Sequence, residues 1–370
     1  MISHVTRPFR LSLALPFLIS SAFLPVSPRM KAQTAPIAVN PILPGPKPPD
    51  APSEWKGILG IYGSGKDALI LLESDQQLYL SDEKKSRPAL SLEGNGRLKY
   101  SADSIQLNDC FSILPADRGK TRYLLSCLNS RQPLPRTDAG SDPSQFYHVT
   151  PTRSVEELRE KALTLSPPAE AGPFRKPDLA ELVTLDPAIH LDIRYASARN
   201  FLSTPVYTQG RAFIQRPAAE ALVRALHKLQ PLGYGLLIHD AYRPWYVTKI
   251  FWDATPPEGK IFVADPQQGS KHNRGCAVDL TLYDLSTGQP IEMPGLYDEM
   301  SPRSFPNFPG GTSLQRWHRD LLRRAMESEG FTVNEDEWWH FDYKDWKQYG
   351  ILNVQFEKIA DSLQPTAVSH

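Results

Sequence analysis

The chain of 370 residues is poor in cysteine and has no excess of charge of either sign. Its 41 lysines and arginines balance 41 aspartates and glutamates, and no basic block interrupts that balance. It therefore lacks the electrostatic pattern of a nucleic-acid-binding protein, and we expect no nucleic-acid partner. The three cysteines show no C-x-x-C spacing, which argues against a zinc site built from cysteines.

Apolar stretches long enough to span a membrane are also missing. Residues 11–24 are largely apolar, but a proline interrupts them and they are too few for a comfortable span. Arg7 and Arg10 precede this stretch and Ala32 follows it, a pattern typical of a secretory signal. We predict that residues 1–32 are a signal peptide and that the mature protein is exported to the periplasm or the extracellular space. The alternative is a disordered or anchored N-terminus.

Proline, by contrast, is abundant, with 35 residues. Seven prolines fall within residues 33–52, which predicts an extended, semi-rigid linker after the signal. A second cluster lies at residues 167–177, behind a helix start marked by the capping-box pair Ser154 and Glu157. We interpret residues 151–177 as a capped helix and a Pro-rich linker between two domains.

Residues 53–150 have the pattern of short strands separated by turns. Ala68–Glu73 and Gln77–Leu80 predict a hairpin, and we expect a small antiparallel sheet or barrel. This β-rich domain is either an accessory module for binding or positioning, or a packing domain without a ligand. Its Cys110 and Cys127 either pair as a disulfide in an oxidising compartment or remain two buried free thiols.

Residues 178–361 mix helical and strand patterns. One helix carries Pro217 in its first turn, and another spans roughly residues 313–329. Between them, Leu236–Pro244 predicts a strand that runs into a turn, with Arg243 at its end. Helices mixed with hairpin-like strands predict an α+β domain with a mixed or antiparallel sheet, preceded by the β-rich domain. Residues 362–370 are interpreted as a tail.

The most informative segment for function is residues 267–283, which contain a Ser-x-His-x6-Asp pattern. Ala277–Leu282 predicts a strand, where the carboxylate of Asp279 costs free energy unless it is paired or binds a metal. His272 lies just before this strand, in a glycine-containing segment that can fold it back beside Asp279. One imidazole and one carboxylate are two of the three protein ligands of a catalytic zinc.

Residues 337–343 supply the candidate for the third ligand. His340 can complete the set, and we expect a strand to begin near Trp338 with Glu337 reaching in from the preceding turn. Each segment alone has a plainer interpretation, because a histidine beside a strand is usually an ordinary core or surface residue. Together they meet the needs of a zinc hydrolase, which are three ligands, an open water position and a nearby base.

Taken together, these segments resemble the D-alanyl-D-alanine dipeptidases, the zinc peptidase family that includes the vancomycin-resistance dipeptidases. The resemblance covers about residues 178–350, half of the chain, and leaves the β-rich domain outside. The Ser-x-His-x6-Asp pattern alone is shared with related D,D-carboxypeptidases. The resemblance rests on five segments in family order: residues 192–207, 240–244, 270–283, 293–298 and 337–340.

The resemblance also implies roles for individual residues. It implies a zinc ion bound by His272, Asp279 and His340, with Glu337 as the general base and Arg243 as the group that polarises the substrate carbonyl. The implied substrate is D-Ala-D-Ala or a related D-amino-acid dipeptide. The family's substrate-contacting positions fall on four further residues: Tyr195, Ser270, Asp298 and Tyr207.

Plainer interpretations of four of these residues stay open at this point. Arg243 can be a surface arginine paired with Asp240. Tyr195 and Tyr207 can be core aromatics, and Asp298 can be a turn residue.

Three rival functions also stay open. A D,D-carboxypeptidase or endopeptidase acting on peptidoglycan stem peptides would use the same chemistry in an open cleft. A zinc-containing module that binds the cell wall without catalysis would need neither Glu337 nor Arg243. A structural envelope protein is supported only by the β-rich domain, which is also the part predicted to contact peptidoglycan.

Overall fold

The computed structural model describes residues 40–81, 90–94, 96–100, 110–114, 122–126, 132–138 and 148–362. The predicted signal peptide, residues 363–370 of the predicted tail, and the choice between a disulfide and two free thiols for Cys110 and Cys127 lie outside the described residues. Within the described ranges, no helix combines the length and the apolar character that crossing a membrane requires.

An eight-stranded antiparallel sheet forms the N-terminal part of the described chain. Its strands pair in the order in which they follow along the chain, and a bridge between Tyr62 and Arg136 links the two edges into a nearly closed barrel. Inward-facing side chains such as Leu71, Leu78 and Leu98 form a separate hydrophobic core. The predicted β-rich region is therefore confirmed. Its elements are α1 (Ser53–Lys56), β1 (Gly60–Tyr62), β2 (Leu69–Ser74), β3 (Gln77–Ser81), β4 (Leu90–Leu92), β5 (Arg97–Tyr100), β6 (Cys110–Leu114), β7 (Tyr123–Ser126) and β8 (Leu134–Pro135).

A five-stranded mixed sheet organises the C-terminal part, in the order β10-β12-β13-β15-β14. The pair β10 and β12 is parallel and the other pairs are antiparallel, which confirms the predicted α+β class. Two further strands, β9 and β11, form a small separate sheet. The elements are α2 (Val155–Leu163), β9 (Leu179–Glu181), β10 (Ile189–Leu191), β11 (Phe213–Gln215), α3 (Arg216–Leu229), β12 (Tyr234–Asp240), α4 (Trp245–Ala254), β13 (Ala277–Asp284), α5 (Ser313–Glu327), β14 (Phe331–Val333), β15 (His340–Tyr343) and α6 (Phe356–Ser362).

Helices α3 and α5 pack against each other and against this sheet. Helix α3 has proline in its first turn, as predicted, and α5 begins with a capping box formed by Thr312 and Gln315. Helix α5 ends at Glu327, two residues before the predicted end. The predicted apolar face of β13 is fully buried in the main core and consists of Val278, Leu280 and Leu282. The opposite face of β13 carries Asp279.

Parts of both predicted linker segments pack against the C-terminal part. The segment predicted as a spacer, residues 33–52, does so over its described part: Ile42 is buried, and Lys47 Nζ donates a hydrogen bond to the Tyr234 hydroxyl at 2.7 Å. The capped helix predicted within residues 151–177 is present as α2, which Ser154 caps and which buries Val155 and Leu158 in the main core and packs against α4. Burial of apolar side chains fixes both segments to the domain.

Candidate metal centre and active site

Three neighbouring strands bring charged side chains into one row. Asp240 at the end of β12 is paired with Asp279 of β13, and Asp279 is paired with His340 at the start of β15. Antiparallel register therefore places two of the predicted ligands side by side, although 61 positions separate them in the numbering. Asp240 lies on the other side of Asp279.

The third predicted ligand comes from a tight turn before β13. His272 opens a single 3-10 turn, His272–Arg274, which Gly275 ends in the left-handed region with φ of 66°. A Cβ atom at Gly275 would lie 2.6 Å from a methyl group of Leu179, so a side chain there would displace Leu179 and strain the backbone. The glycine lets the chain reverse and hold His272 over the strand that carries Asp279.

The ligand atoms of these three residues converge. His272 Nε2 lies 3.1 Å from His340 Nδ1 and 3.3 Å from Asp279 Oδ1, and His340 Nδ1 lies 3.0 Å from Asp279 Oδ1. Ligand bonds of about 2.0–2.2 Å around tetrahedral zinc put ligand atoms about 3.3 Å apart. All three side chains are buried. In the described part of the chain, they form a group of His and Asp side chains whose ligand atoms lie close enough together to hold one metal ion.

Both imidazole rings are fixed in the tautomer that a metal requires. His272 Nδ1 donates to the Ala241 carbonyl oxygen at 2.6 Å, and His340 Nε2 donates to Asp342 Oδ1 at 2.9 Å. When both rings are neutral, each directs a lone pair at Asp279 Oδ1, which is buried and then accepts no hydrogen bond. An orphaned carboxylate oxygen beside two acceptor nitrogens is costly unless a cation lies between them. The residues therefore fit a divalent metal ion.

The charges within the cluster reinforce each other. Burial raises the pKa of Asp279, but His272 and His340 outweigh this effect and hold the pKa well below its usual range. Burial lowers the pKa of His340, but Asp279 and Asp342 outweigh it and raise the pKa to about 10. Because a metal ion must take the place of the imidazole proton, protons compete with metal binding at this site.

Glu337 lies in the turn before β15, as expected, and its backbone carbonyl accepts a hydrogen bond from the His340 amide at 3.3 Å. The strand itself begins at His340, two residues later than the predicted start near Trp338. Glu337 Oε2 lies 3.5 Å from His340 Nδ1, and its side chain is 33% exposed at the cavity. Burial raises the pKa of Glu337, and the negative charge of Asp279 adds to that effect. A carboxylate with a raised pKa beside the metal centre is suited to accepting and returning a proton.

Arg243 is not the surface residue of its plainer interpretation, because it is buried and lines the same cavity. The predicted partner is correct: Nε and Nη2 donate to Asp240 Oδ2 at 3.0 and 2.7 Å. The rings of Tyr195 and Phe251 flank the guanidinium at 5.3 and 4.9 Å. Nη1 takes no part in the bonds to Asp240 and can serve a substrate oxygen.

Tyr195 and Asp298 form a second polar group in the cavity wall. The Tyr195 hydroxyl donates to both oxygens of Asp298, at 3.1 and 3.3 Å. Burial raises the pKa of Asp298 to about 8, and the charges of Asp279 and Glu337 contribute to the shift. A positively charged substrate group beside Asp298 would favour its ionised form.

The other two predicted substrate contacts differ from each other. Ser270 lines the cavity, but its Oγ also accepts a hydrogen bond from the His272 amide at 3.2 Å and so helps to shape the turn. Tyr207 is not part of the cavity lining. Its hydroxyl donates to Asp240 Oδ1 at 2.6 Å, so Tyr207 supports the carboxylate that holds Arg243 instead of facing the substrate. The prediction for Tyr207 is corrected in this way.

Several supporting residues were missed in the sequence. Tyr297 donates to Asp279 Oδ2 at 3.1 Å, and Lys271 Nζ donates to Asp342 Oδ2 at 2.6 Å. The sequence could have indicated the contact of Asp342 with His340, because positions 340 and 342 share one face of a strand. For Tyr297 the sequence offered nothing beyond its place in the segment 293–298.

The cavity around these residues has a volume of about 880 Å³. Phe262 and Phe305 belong to its lining and are 47% and 43% exposed. Phe262 has the highest exposure among the large apolar side chains found exposed in the described residues, and Phe305 shares the next value with Leu163. Exposed apolar side chains at a cleft are typical of ligand-binding grooves.

Comparison with known proteins adds an independent finding. The family model for M15 peptidases, described as D-ala-D-ala dipeptidase, matches residues 175–361. A protein of Escherichia coli K12 named D-alanyl-D-alanine dipeptidase is 34% identical over 179 residues, which are 48% of this chain and 91% of the relative. Proteins of the same name from Enterococcus faecalis and Streptomyces coelicolor are 35% and 33% identical over 185 and 186 residues, covering 44% and 45% of this chain and 90% and 92% of the relatives.

Proposed function

The chain belongs to the D-Ala-D-Ala dipeptidase family of M15 peptidases, and from that premise we propose that it hydrolyses D-alanyl-D-alanine to two D-alanines with the help of a zinc ion. Members of this family are metallopeptidases, and the chain has a candidate His-Asp-His metal site. The observation that carries the proposal is the meeting of His272, Asp279 and His340 beside Glu337 in one cavity. Zinc is proposed over other metals because two imidazoles and one carboxylate are a ligand set typical of catalytic zinc.

When bound, zinc supplies Lewis-acid activation of water and of the peptide carbonyl. The chain's own residues move the protons and balance the charge. Glu337 accepts a proton from the attacking water and delivers a proton to the leaving amine. Arg243 donates through Nη1 to the carbonyl oxygen as negative charge develops there. Asp240 keeps the guanidinium in place, and Tyr207 keeps Asp240 in place.

Asp298 is proposed to bind the free ammonium group of the dipeptide. Its pKa of about 8 shows that the surroundings disfavour its charge, and a substrate ammonium compensates this charge directly. The hydroxyl of Tyr195 orients the carboxylate for this contact. A contact to a free ammonium selects peptides whose N-terminus lies close to the scissile bond.

A second candidate function is D,D-carboxypeptidase or endopeptidase activity on peptidoglycan stem peptides. The size of the cavity favours it, because about 880 Å³ lies near the upper end of the ~300–1,000 Å³ range of sites for drug-sized ligands, which exceed two alanines. Phe262 and Phe305 add apolar surface that methyl side chains do not need. The third possibility, a non-catalytic zinc module, has no use for the partly exposed Glu337 beside the metal site.

A panel of peptides tests these functions against each other. The zinc-loaded full chain is incubated with D-Ala-D-Ala, L-Ala-L-Ala and a stem pentapeptide ending in D-Ala-D-Ala, and release of D-alanine is measured. We expect hydrolysis of the free D,D-dipeptide, no hydrolysis of the L,L-dipeptide, and loss of activity with a chelator. Faster release from the pentapeptide would favour the carboxypeptidase, and inactivity on all three peptides would contradict both enzymes.

Export remains a proposal that depends on the N-terminal sequence alone. We propose that residues 1–32 are removed and that the enzyme acts outside the cytoplasm, where it meets D-Ala-containing peptides of the cell wall. Intact-mass measurement of the protein from the periplasm or medium should show the loss of about 32 residues, because signal peptides are cleaved on export. Recovery of only full-length protein from the cytoplasm would contradict it.

A further inference from the structure

The long connection between β13 and α5 builds one wall of the active-site cavity. Residues 285–312 contain no helix or strand beyond the single 3-10 turn Pro302–Ser304. Residues 298–302, 304 and 305 of this connection line the cavity, including Asp298. Loops of this length are uncommon in compact domains unless they are functional, and a precise site built on one needs support from its surroundings.

The first support comes from the turn between β2 and β3 of the barrel. The Glu73 side chain is fully buried, and its Oε2 accepts a hydrogen bond from the Ser313 amide at 2.6 Å. The Glu73 amide in turn donates to the Gly311 carbonyl at 3.1 Å. Glu73 is thus a carboxylate at the N-terminus of α5, supplied by the other half of the molecule, where the helix dipole favours negative charge.

The same turn is shaped for this contact. Asp75 and Gln76 both have positive φ, 50° and 62°, which residues other than glycine adopt at a cost in free energy. The Asp75 amide donates to Ser313 Oγ at 3.2 Å, and the Gln76 amide donates to Glu73 Oε1 at 2.7 Å. Arg316 of α5 closes the contact by donating to the Glu73 carbonyl at 2.8 Å.

The second support reaches the middle of the connection. Arg303 Nη1 forms an ion pair with Asp138, which follows β8, at 3.6 Å, and the two side chains are 8% and 0% exposed. Asp138 is held in the barrel by the Ile61 amide at 2.5 Å and by Arg136 Nε at 2.7 Å. A pair this well buried is screened little by water. Arg303 Nε also lies 3.6 Å from Glu299 Oε1, so removing Asp138 would take away the contact with the barrel and leave Arg303 paired only within the connection.

The connection also makes a hydrogen bond to the turn that carries Glu337. The carbonyl of Ser304, the residue after Arg303, accepts a hydrogen bond from the Trp338 amide at 2.7 Å. Trp338 directly follows Glu337. The barrel is therefore joined through Arg303 and Ser304 to the turn that carries the proposed base, and through the same connection to Asp298.

We infer that the barrel is an internal brace whose residues Glu73 and Asp138 position the cavity wall formed by residues 298–305. The match to the Escherichia coli relative covers 91% of that protein but only 48% of this chain. Too few residues of the relative therefore lie outside the match to form such a barrel. The brace is thus a property of this chain and not of the family match. Glu73 and Asp138 are positioning residues, since both act through the connection. The kinetic part of the inference rests on the proposed D-Ala-D-Ala hydrolysis.

The test compares Glu73→Ala, Glu73→Gln and Asp138→Asn with Leu124→Ala in the zinc-loaded full chain. Leu124 lies in the barrel core and serves as the control for lost barrel stability alone. We expect KM for D-Ala-D-Ala to rise about tenfold in Glu73→Ala and Asp138→Asn, because a ~1 Å displacement at an active site can cost up to 10²-fold. The fall in kcat should be smaller, zinc content should be unchanged, and Glu73→Gln should recover most of the loss. Leu124→Ala should lower Tm and leave KM as it is.

Amide hydrogen exchange of residues 299–305 gives a readout that does not depend on the substrate. Exchange should become faster in Glu73→Ala and Asp138→Asn and stay unchanged in Leu124→Ala when all are measured below their Tm. Wild-type exchange and wild-type KM in the first two variants would overturn the brace, as would an equal KM change in Leu124→Ala. A wild-type chain that does not hydrolyse D-Ala-D-Ala would contradict the proposed function, while the exchange rates would still decide on the brace.

Discussion

Replacing Glu337 by glutamine should lower kcat for D-Ala-D-Ala by about two to four orders of magnitude, the usual contribution of general acid–base catalysis. Glutamine keeps the shape of the side chain but cannot accept the proton of the attacking water. The metal should remain bound, because the His-Asp-His cluster is complete without Glu337. Steady-state rates and metal analysis of the same protein preparation measure both expectations.

The matched control is His340→Ala, which removes a ligand instead of the base. It should lose both metal and activity, so the two variants separate proton transfer from metal binding. If Glu337→Gln loses its metal, Glu337 is itself a ligand and the role of His340 must be reassigned. If it keeps both metal and full activity, another group is the base. Asp342, the next candidate from sequence position, is bound to His340 and Lys271 and is not part of the cavity lining.

Replacing Arg243 by alanine should lower kcat by about 10²–10³-fold, the loss found when one donor to a developing oxyanion is removed. KM should change less, because this contact gains strength only as charge develops on the carbonyl oxygen. The substitution also leaves Asp240 buried without its cation, so Arg243→Lys is measured beside it to retain the charge. Tyr207→Phe removes a bond to Asp240 but no charge, and its loss of kcat should be much smaller.

A different pattern of changes in kcat and KM would change the role assigned to Arg243. A large rise in KM with unchanged kcat in Arg243→Ala would mean that Arg243 binds the ground state, for example the substrate carboxylate. Equal losses in Tyr207→Phe and Arg243→Ala would mean that the whole group with Asp240 acts through the fold. Thermal unfolding of each variant controls for stability.

The candidate site was largely readable in the sequence because its residues lie where simple periodicities hold. Alternation along β13 separates Asp279 from the buried Val278 and Leu280, so a carboxylate on the other face stood out as a residue that needs a partner. Gly275 marked a reversal that could return His272 to this strand. The roles assigned to these residues nevertheless stay predictions, since geometry alone does not measure catalysis.

Contacts between distant segments could not be read in the same way. Glu73 and Ser313 are ordinary polar residues 240 positions apart, and no spacing or propensity links them. Ile42 lies in a Pro-rich stretch typical of a spacer, yet its burial against the catalytic half outweighs that local preference. Tyr207 had the residue type of a substrate contact, and only the position of Asp240 in three dimensions shows that its hydroxyl is bound to this carboxylate.

The strand order of the barrel has a consequence for how the chain folds. Each barrel strand pairs with its neighbour in sequence, so these pairings join segments that lie close together along the chain, at a low cost in chain entropy. The catalytic sheet instead needs pairings across long separations, such as Ala277 with Asp342, which slow folding. The barrel precedes residues 285–312 in the chain, and its pairings are the more local ones. We therefore expect the barrel to form first and Glu73 and Asp138 to act as a template for the cavity wall.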